Sequence, residues 1–167
     1  MKKVAVAFLA MALLMLFSVV PVMAKTEKVP ATINVSAPTD YVYGPRAWFN
    51  PNEFIFQERG TTITFDILDI DIGGPPHTGV WISTLDAKVN FRTGTWVGHF
   101  DTVFTLDGST DDGFAGNIQI VQYLYDGYYT AHGVLQGFGV HDKQTLIFTY
   151  DGPQEWPAVW TGYCLKG

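Results

Sequence analysis

His99 and Asp101 stand two residues apart in GTWVGHFDTVFTL, residues 94–106. On a strand, side chains two apart leave the same face, so an imidazole and a carboxylate here could orient one another or share a metal ion. His132 could add a third ligand if its strand lay alongside. A metal site needs three or four ligands, each held by further hydrogen bonds, and His99 with Asp101 supply at most half of one. The pattern predicts a polar outer face at His99, Asp101 and His132, with no metal and no cofactor.

Other reactive residue types also lack the partners their chemistry needs. Asp69 and Asp71 share one strand face and Asp66 takes the other, but paired carboxylates do acid–base work on glycosides only at a defined separation. These three read as solvated strand or bulge positions. The run DGSTDDG (107–113) has a calcium-loop composition, yet its glycine comes one residue late and no bidentate Glu follows. A hairpin turn explains it more simply. Cys164 is the only cysteine, so no intramolecular disulfide forms; alternating with Tyr163 and Leu165 in an apolar strand, it reads as a buried, inert thiol. No nucleophile elbow, phosphate loop or dinucleotide fingerprint is present.

A binding surface is the stronger signal. In TAHGVLQGFGV (130–140), Ala131, Gly133, Leu135, Gly137 and Gly139 share one alternating register. Glycine in a strand marks a bend or the close approach of another group. Large residues recur in single registers elsewhere: Trp96, Phe100, Phe104 and Leu106 on one strand, Leu146, Phe148 and Tyr150 on another. Either the rings fill the space over the small residues, as in a small barrel with a tapering interior, or a lumen stays open to an apolar ligand. In the second case Ala131, Gly133, Gly137 and Gly139 form the floor and Trp96 and Phe100 the wall. Trp156 and Trp160 offer either a core lid or stacking platforms.

The elements that must position these residues are strands. Apolar spacing at helical period is not sustained beyond the N-terminal run, whereas alternation recurs over 54–59, 61–72, 79–84, 86–93, 95–106, 114–125, 128–139, 144–151 and 159–165. Asp107-Gly108, Asp126-Gly127 and Asp151-Gly152 read as turns, since Asp-Gly reaches positive φ at low cost. In TTITFDILDIDI the apolar set changes register, which one inserted residue, a β-bulge, would produce. Residues 25–52, with Pro30, Pro38, Pro45 and Pro51, read as an irregular lead-in with one edge strand at most. The expectation is an all-β single antiparallel barrel of about eight strands over 53–167, with a β-sandwich as the alternative.

The run Gly133-Val-Leu-Gln-Gly-Phe-Gly139, then Gln144-Thr-Leu-Ile-Phe148 and the ending Tyr163-Cys-Leu-Lys-Gly167 resembles the late part of the allene oxide cyclase-like and dirigent-like β-barrels. The resemblance covers residues 130–167. It implies an eight-stranded barrel, often trimeric, with an apolar cavity; it places no catalytic residue here.

The chain opens MKKVAVAFLAMALLMLFSVVPVMA, with basic residues, an apolar run, a proline and a small residue at Ala24. This is the layout of a secretory signal peptide over 1–24, and a secreted location, extracellular or periplasmic, follows. Losing Lys2 and Lys3 makes the formal charge of −6 more negative, which disfavours nucleic acid and anionic membrane surfaces. Asn34-Val35-Ser36 matches a glycosylation acceptor. The functional expectation is a secreted barrel that binds a small apolar or aromatic ligand or serves as an interaction module, with homo-oligomerisation open. A cyclase- or isomerase-like enzyme and a small outer-membrane barrel are the alternatives. The exported protein is predicted to begin at Lys25, and its intact mass decides this; a membrane-retained species still carrying 1–24 would contradict it.

Overall fold

Alternation of large apolar and polar side chains runs through the chain with few interruptions, so each strand has one face to bury, and a closed sheet buries all of those faces at once. The computed structural model describes residues 26–167; the segment read as a signal peptide lies outside the described residues. The strands are β1 (Glu27–Val42), β2 (Arg46–Asn50), β3 (Ile55–Asp71), β4 (His77–Asn90), β5 (Thr95–Leu106), β6 (Gly113–Tyr123), β7 (Tyr128–Phe138), β8 (Gln144–Pro153) and β9 (Ala158–Lys166). From β3 to β9 each strand pairs antiparallel with the next, and β1 lies between β9 and β3. The result is a closed eight-stranded antiparallel barrel, with β2 as an extra strand paired to the first residues of β3. Closure excludes the sandwich. No helix among the described residues is long and apolar enough to cross a membrane.

The stretch read as an irregular lead-in is the main correction. β1 is a full barrel strand, and its residues Ala31, Ile33 and Val35 are buried in the lumen. Its prolines suggested an edge, but Pro30 sits near the strand's start and Pro38 falls where the pairing with β3 shifts register. A bulge is one of the places a strand tolerates a residue that cannot donate. The bulge expected in TTITFDILDIDI is present: β3 shifts register against β4 between Ile67 and Ile70. A second shift, between Arg59 and Thr61, surrounds Gly60 at φ +72° and joins 54–59 to 61–72 in one strand. Asp107-Gly108 and Asp126-Gly127 lie in hairpin turns, but Asp151-Gly152 continues β8, where Gly152 pairs with Tyr129.

The two halves of the lumen differ. Towards the ends of β5 and β7, Phe104, Phe114, Leu135, Leu146 and Phe148 are all but inaccessible to solvent, with the Phe104 and Phe148 rings stacked at 6.1 Å between centroids. Gly133 lies opposite Phe148 across the β7–β8 ladder, and a Cβ on Gly133 would run into that ring. Here the bare glycine face makes room for an aromatic ring. The short 3-10 turn Gly139–His141 closes this end, its buried His141 ring stacked on Phe114 at 5.0 Å. Gly133→Leu is therefore predicted to destabilise by about 1–3 kcal/mol through overpacking, while Val134→Leu on the exposed face of the same strand changes little. Urea midpoints check this, and equal midpoints would show that the ring does not occupy that space.

Candidate functional site

At the opposite end, where β4 leads into β5 and β8 into β9, the lumen is not filled. A cavity of about 250 Å³ lies among Phe65, Trp81, Leu85, Trp96, Phe100 and Ile120, with Trp156 and Gln154 at its mouth. Alternation along β4 and β5 points Leu85, Trp96 and Phe100 inward, and β-bulges in β1 bring Pro38 and Tyr41 to the rim. Trp81 and Phe65 lie 4.5 Å apart with their planes tilted by 30°, Phe65 and Trp156 lie 5.9 Å apart, and Trp96 meets Phe100 at 6.1 Å. These rings make a wall of aromatic faces and edges.

Few polar groups enter this wall. Glu58, on β3, is only 6% exposed. The Tyr41 hydroxyl donates to its two carboxylate oxygens at 3.1 and 3.2 Å, and Thr61 donates to Oε2 at 3.2 Å. Burial and the neighbouring Glu58 carboxylate push the Tyr41 phenol up to about 12, so Tyr41 keeps its proton and stays a donor. On the other side of the cavity, the Tyr129 hydroxyl and the Trp160 Nε1 are buried without a protein partner. Burial likewise raises the Tyr129 phenol. Trp81 is different: its indole N–H donates to Ser83, which bonds Thr102 at 2.7 Å. The polar group of one indole is thus satisfied within the core, whereas those of Trp160 and Tyr129 are buried without a hydrogen bond.

The residues expected to form a ligand site divide accordingly. Trp96 and Phe100 line the cavity. The proposed floor does not: Gly133 is covered by Phe148, a Cβ on Gly137 would strike the His141 backbone, and Gly139, at φ +64°, begins the closing turn. Ala131 is buried in the ladder between Ile120 and Tyr150, outside the cavity lining. Glu58, Tyr41, Tyr129 and Trp81 were missed because alternation shows which face a residue takes, and not how far along the lumen it sits.

His99, Asp101 and His132 are exposed on the outer wall. His99 and His132 each pair with Gln119 from opposite sides, so one strand separates them. No group of three His, Cys, Asp or Glu among the described residues could hold a metal. Asp66, Asp69 and Asp71 point away from the cavity lining, and Asp71 accepts from the Gly73 backbone. Cys164 is fully buried with its thiol raised by burial. Asn34 lies within β1, its side-chain oxygen buried, a setting unlike the surface loop a glycosylation acceptor needs.

The packed end carries a histidine cluster that spacing did not reveal, because its members come from three separate connections. His77 Nδ1 lies 2.5 Å from Asp107 Oδ2, and the His77 and His141 rings meet edge-on at 5.6 Å. The hydrogen bond with His77 holds the Asp107 carboxyl low. Burial holds His141 below the ordinary histidine range, and the nearby His77 adds to this. The unfolded chain therefore takes up a proton at position 141 before the folded chain does, so stability falls as pH drops below the ordinary histidine value of about 6.5. Asp107 acts in the same direction at lower pH, losing its contribution as pH falls below about 4. His141→Phe, which keeps the stack on Phe114, is predicted to lose less stability between pH 7.5 and 5.5 than the unmodified protein. Urea midpoints at the two pH values test this; an unchanged difference would contradict it.

Comparison with protein-family models, with curated proteins and with solved structures finds no match to this chain.

Proposed function

We propose that the protein is a secreted binding protein that holds a small apolar or aromatic molecule in the open half of its barrel. The aromatic cavity of about 250 Å³ carries this reading. Apolar cavities of roughly 150 Å³ already take up benzene, so the space suits a substituted ring. A largely apolar wall with a few placed polar groups is the usual composition of a ligand pocket, and Glu58, Tyr41, Tyr129 and Trp160 are those groups. The strand ends and connections at the same end of the barrel also carry exposed rings, Tyr43 and Tyr125 at 76% and 74% exposure and Phe49, Phe54 and Phe91 at about half.

An enzyme of the cyclase or isomerase type would need its acid–base groups inside the lumen. His99, Asp101 and His132, on which the catalytic reading rested, lie outside it. An outer-membrane barrel needs an apolar outer band, whereas the row Arg59, Asp86, His99, Gln119, His132 and Thr149 crosses this outer wall from β3 to β8.

A screen of terpenoids, phenolics, aromatic amines and fatty acids by thermal shift and tryptophan emission tests the proposal. A ligand at a hundredfold excess over its Kd should stabilise the fold by about 2.7 kcal/mol. Ile120→Trp, which fills the cavity from its wall, is predicted to weaken any hit at least about tenfold, a loss of ~1.4 kcal/mol, without lowering the melting temperature. Unchanged affinity in that variant would place the ligand elsewhere.

A further inference from the structure

Glu58 is the only carboxylate among the buried side chains of the described residues. Its protein partners are hydroxyls, Tyr41 and Thr61. No lysine, arginine or histidine among the described residues lies within ion-pair distance of it. The adjacent Arg59 takes the outer face, with its guanidinium 5.6 Å from the Trp48 ring. A carboxylate withdrawn from water is costly unless a cation or a full set of donors meets it, and Glu58 Oε1 accepts from Tyr41 alone. Around it the cavity presents the rings of Trp96, Phe65 and Trp156, whose π faces attract organic cations, most strongly where water is excluded. The chain is also acidic, at −6, which draws cations and repels anions.

We propose that the lumen selects an organic ammonium: a small aromatic amine whose –NH3⁺ donates to Glu58 Oε1 while its ring lies among the cavity's aromatic side chains. This rests on the lumenal binding reading and narrows it, since the same carboxylate disfavours fatty acids and phenolic acids. Glu58 is the selecting group; Tyr41 and Thr61 hold it in place by their hydrogen bonds.

Three probes of nearly one shape separate the possibilities: 2-phenylethylamine, the neutral 2-phenylethanol and the anionic phenylacetate, each titrated calorimetrically into the unmodified protein at neutral pH. The amine should bind about tenfold or more tighter than the alcohol, as a charge-assisted bond replaces a neutral one, and phenylacetate should bind weakest. In Glu58→Gln the amine should fall to the affinity of the alcohol, with the alcohol itself unchanged. Alcohol and amine binding equally to the unmodified protein would overturn the assignment to an ammonium and leave the lumenal reading standing. Phenylacetate as the tightest binder would do the same. Failure of all three to bind would overturn both. The comparison in the unmodified protein decides the matter even if Glu58→Gln does not fold.

Discussion

The pairing of β1 with both β9 and β3 closes the sheet at eight strands, and that closure sets the width of the lumen for every side chain inside it. An eight-stranded barrel is just wide enough either to be filled by its own side chains or to hold one small ligand. This barrel is filled by its own side chains in one half and keeps a cavity in the other. The register of β1 against β3 shifts three times between Asn34 and Asp40, and those shifts bend the wall where the lumen opens, bringing Tyr41 over Glu58. Without β1 the row Ala31, Ile33 and Val35 would leave the core, and both halves of the lumen would face water.

The division of the lumen follows from matching large residues to small ones. In the closed half Phe148 lies over Gly133, and Phe104, Phe114 and Leu135 fill the remaining width. Here a ring takes the space a missing side chain leaves, as well-packed interiors require. In the open half Phe65 packs on Trp81 and Trp96 on Phe100 along the wall, and a cavity remains among them. The polar groups obey the same division. Ser83 and Thr102 satisfy Trp81 within the core, whereas Trp160 and Tyr129 have no protein partner and Glu58 has hydroxyls but no cation. Buried polar groups seek hydrogen bonds, and in this half the protein leaves some of them unmet.

The strand class and most of the turns were legible in the sequence, because alternation with period two and Asp-Gly turns depend on neighbouring residues alone. The bulge in β3 was legible for the same reason: an inserted residue moves the apolar set to the other face. β1 was not, because its prolines resemble loop punctuation, and only the partner strand shows that Pro38 falls at a register shift. The glycine row of β7 was recognised as unusual, but its meaning depended on Phe148 of β8 lying directly across. Trp96 and Phe100 were placed on the right face. The depth of a residue along the lumen is set by strand tilt and stagger, which one strand's sequence does not carry; that is why Glu58 and Tyr129 were missed. The outer-wall position of His99, Asp101 and His132 was legible too, because polar residues two apart on a strand share one face, and a lone pair of them is more simply a wet face than a site.

A lumen filled at one end and open at the other can be probed without choosing a ligand. Xenon enters dry apolar cavities and scatters strongly, so a crystal held under xenon pressure reports which voids exist. The structure predicts xenon density among Phe65, Trp81, Leu85 and Phe100 and none among Phe104, Phe114 and Phe148. Xenon absent from the first group, or bound in the second, would contradict the account of an open, aromatic half above a packed one.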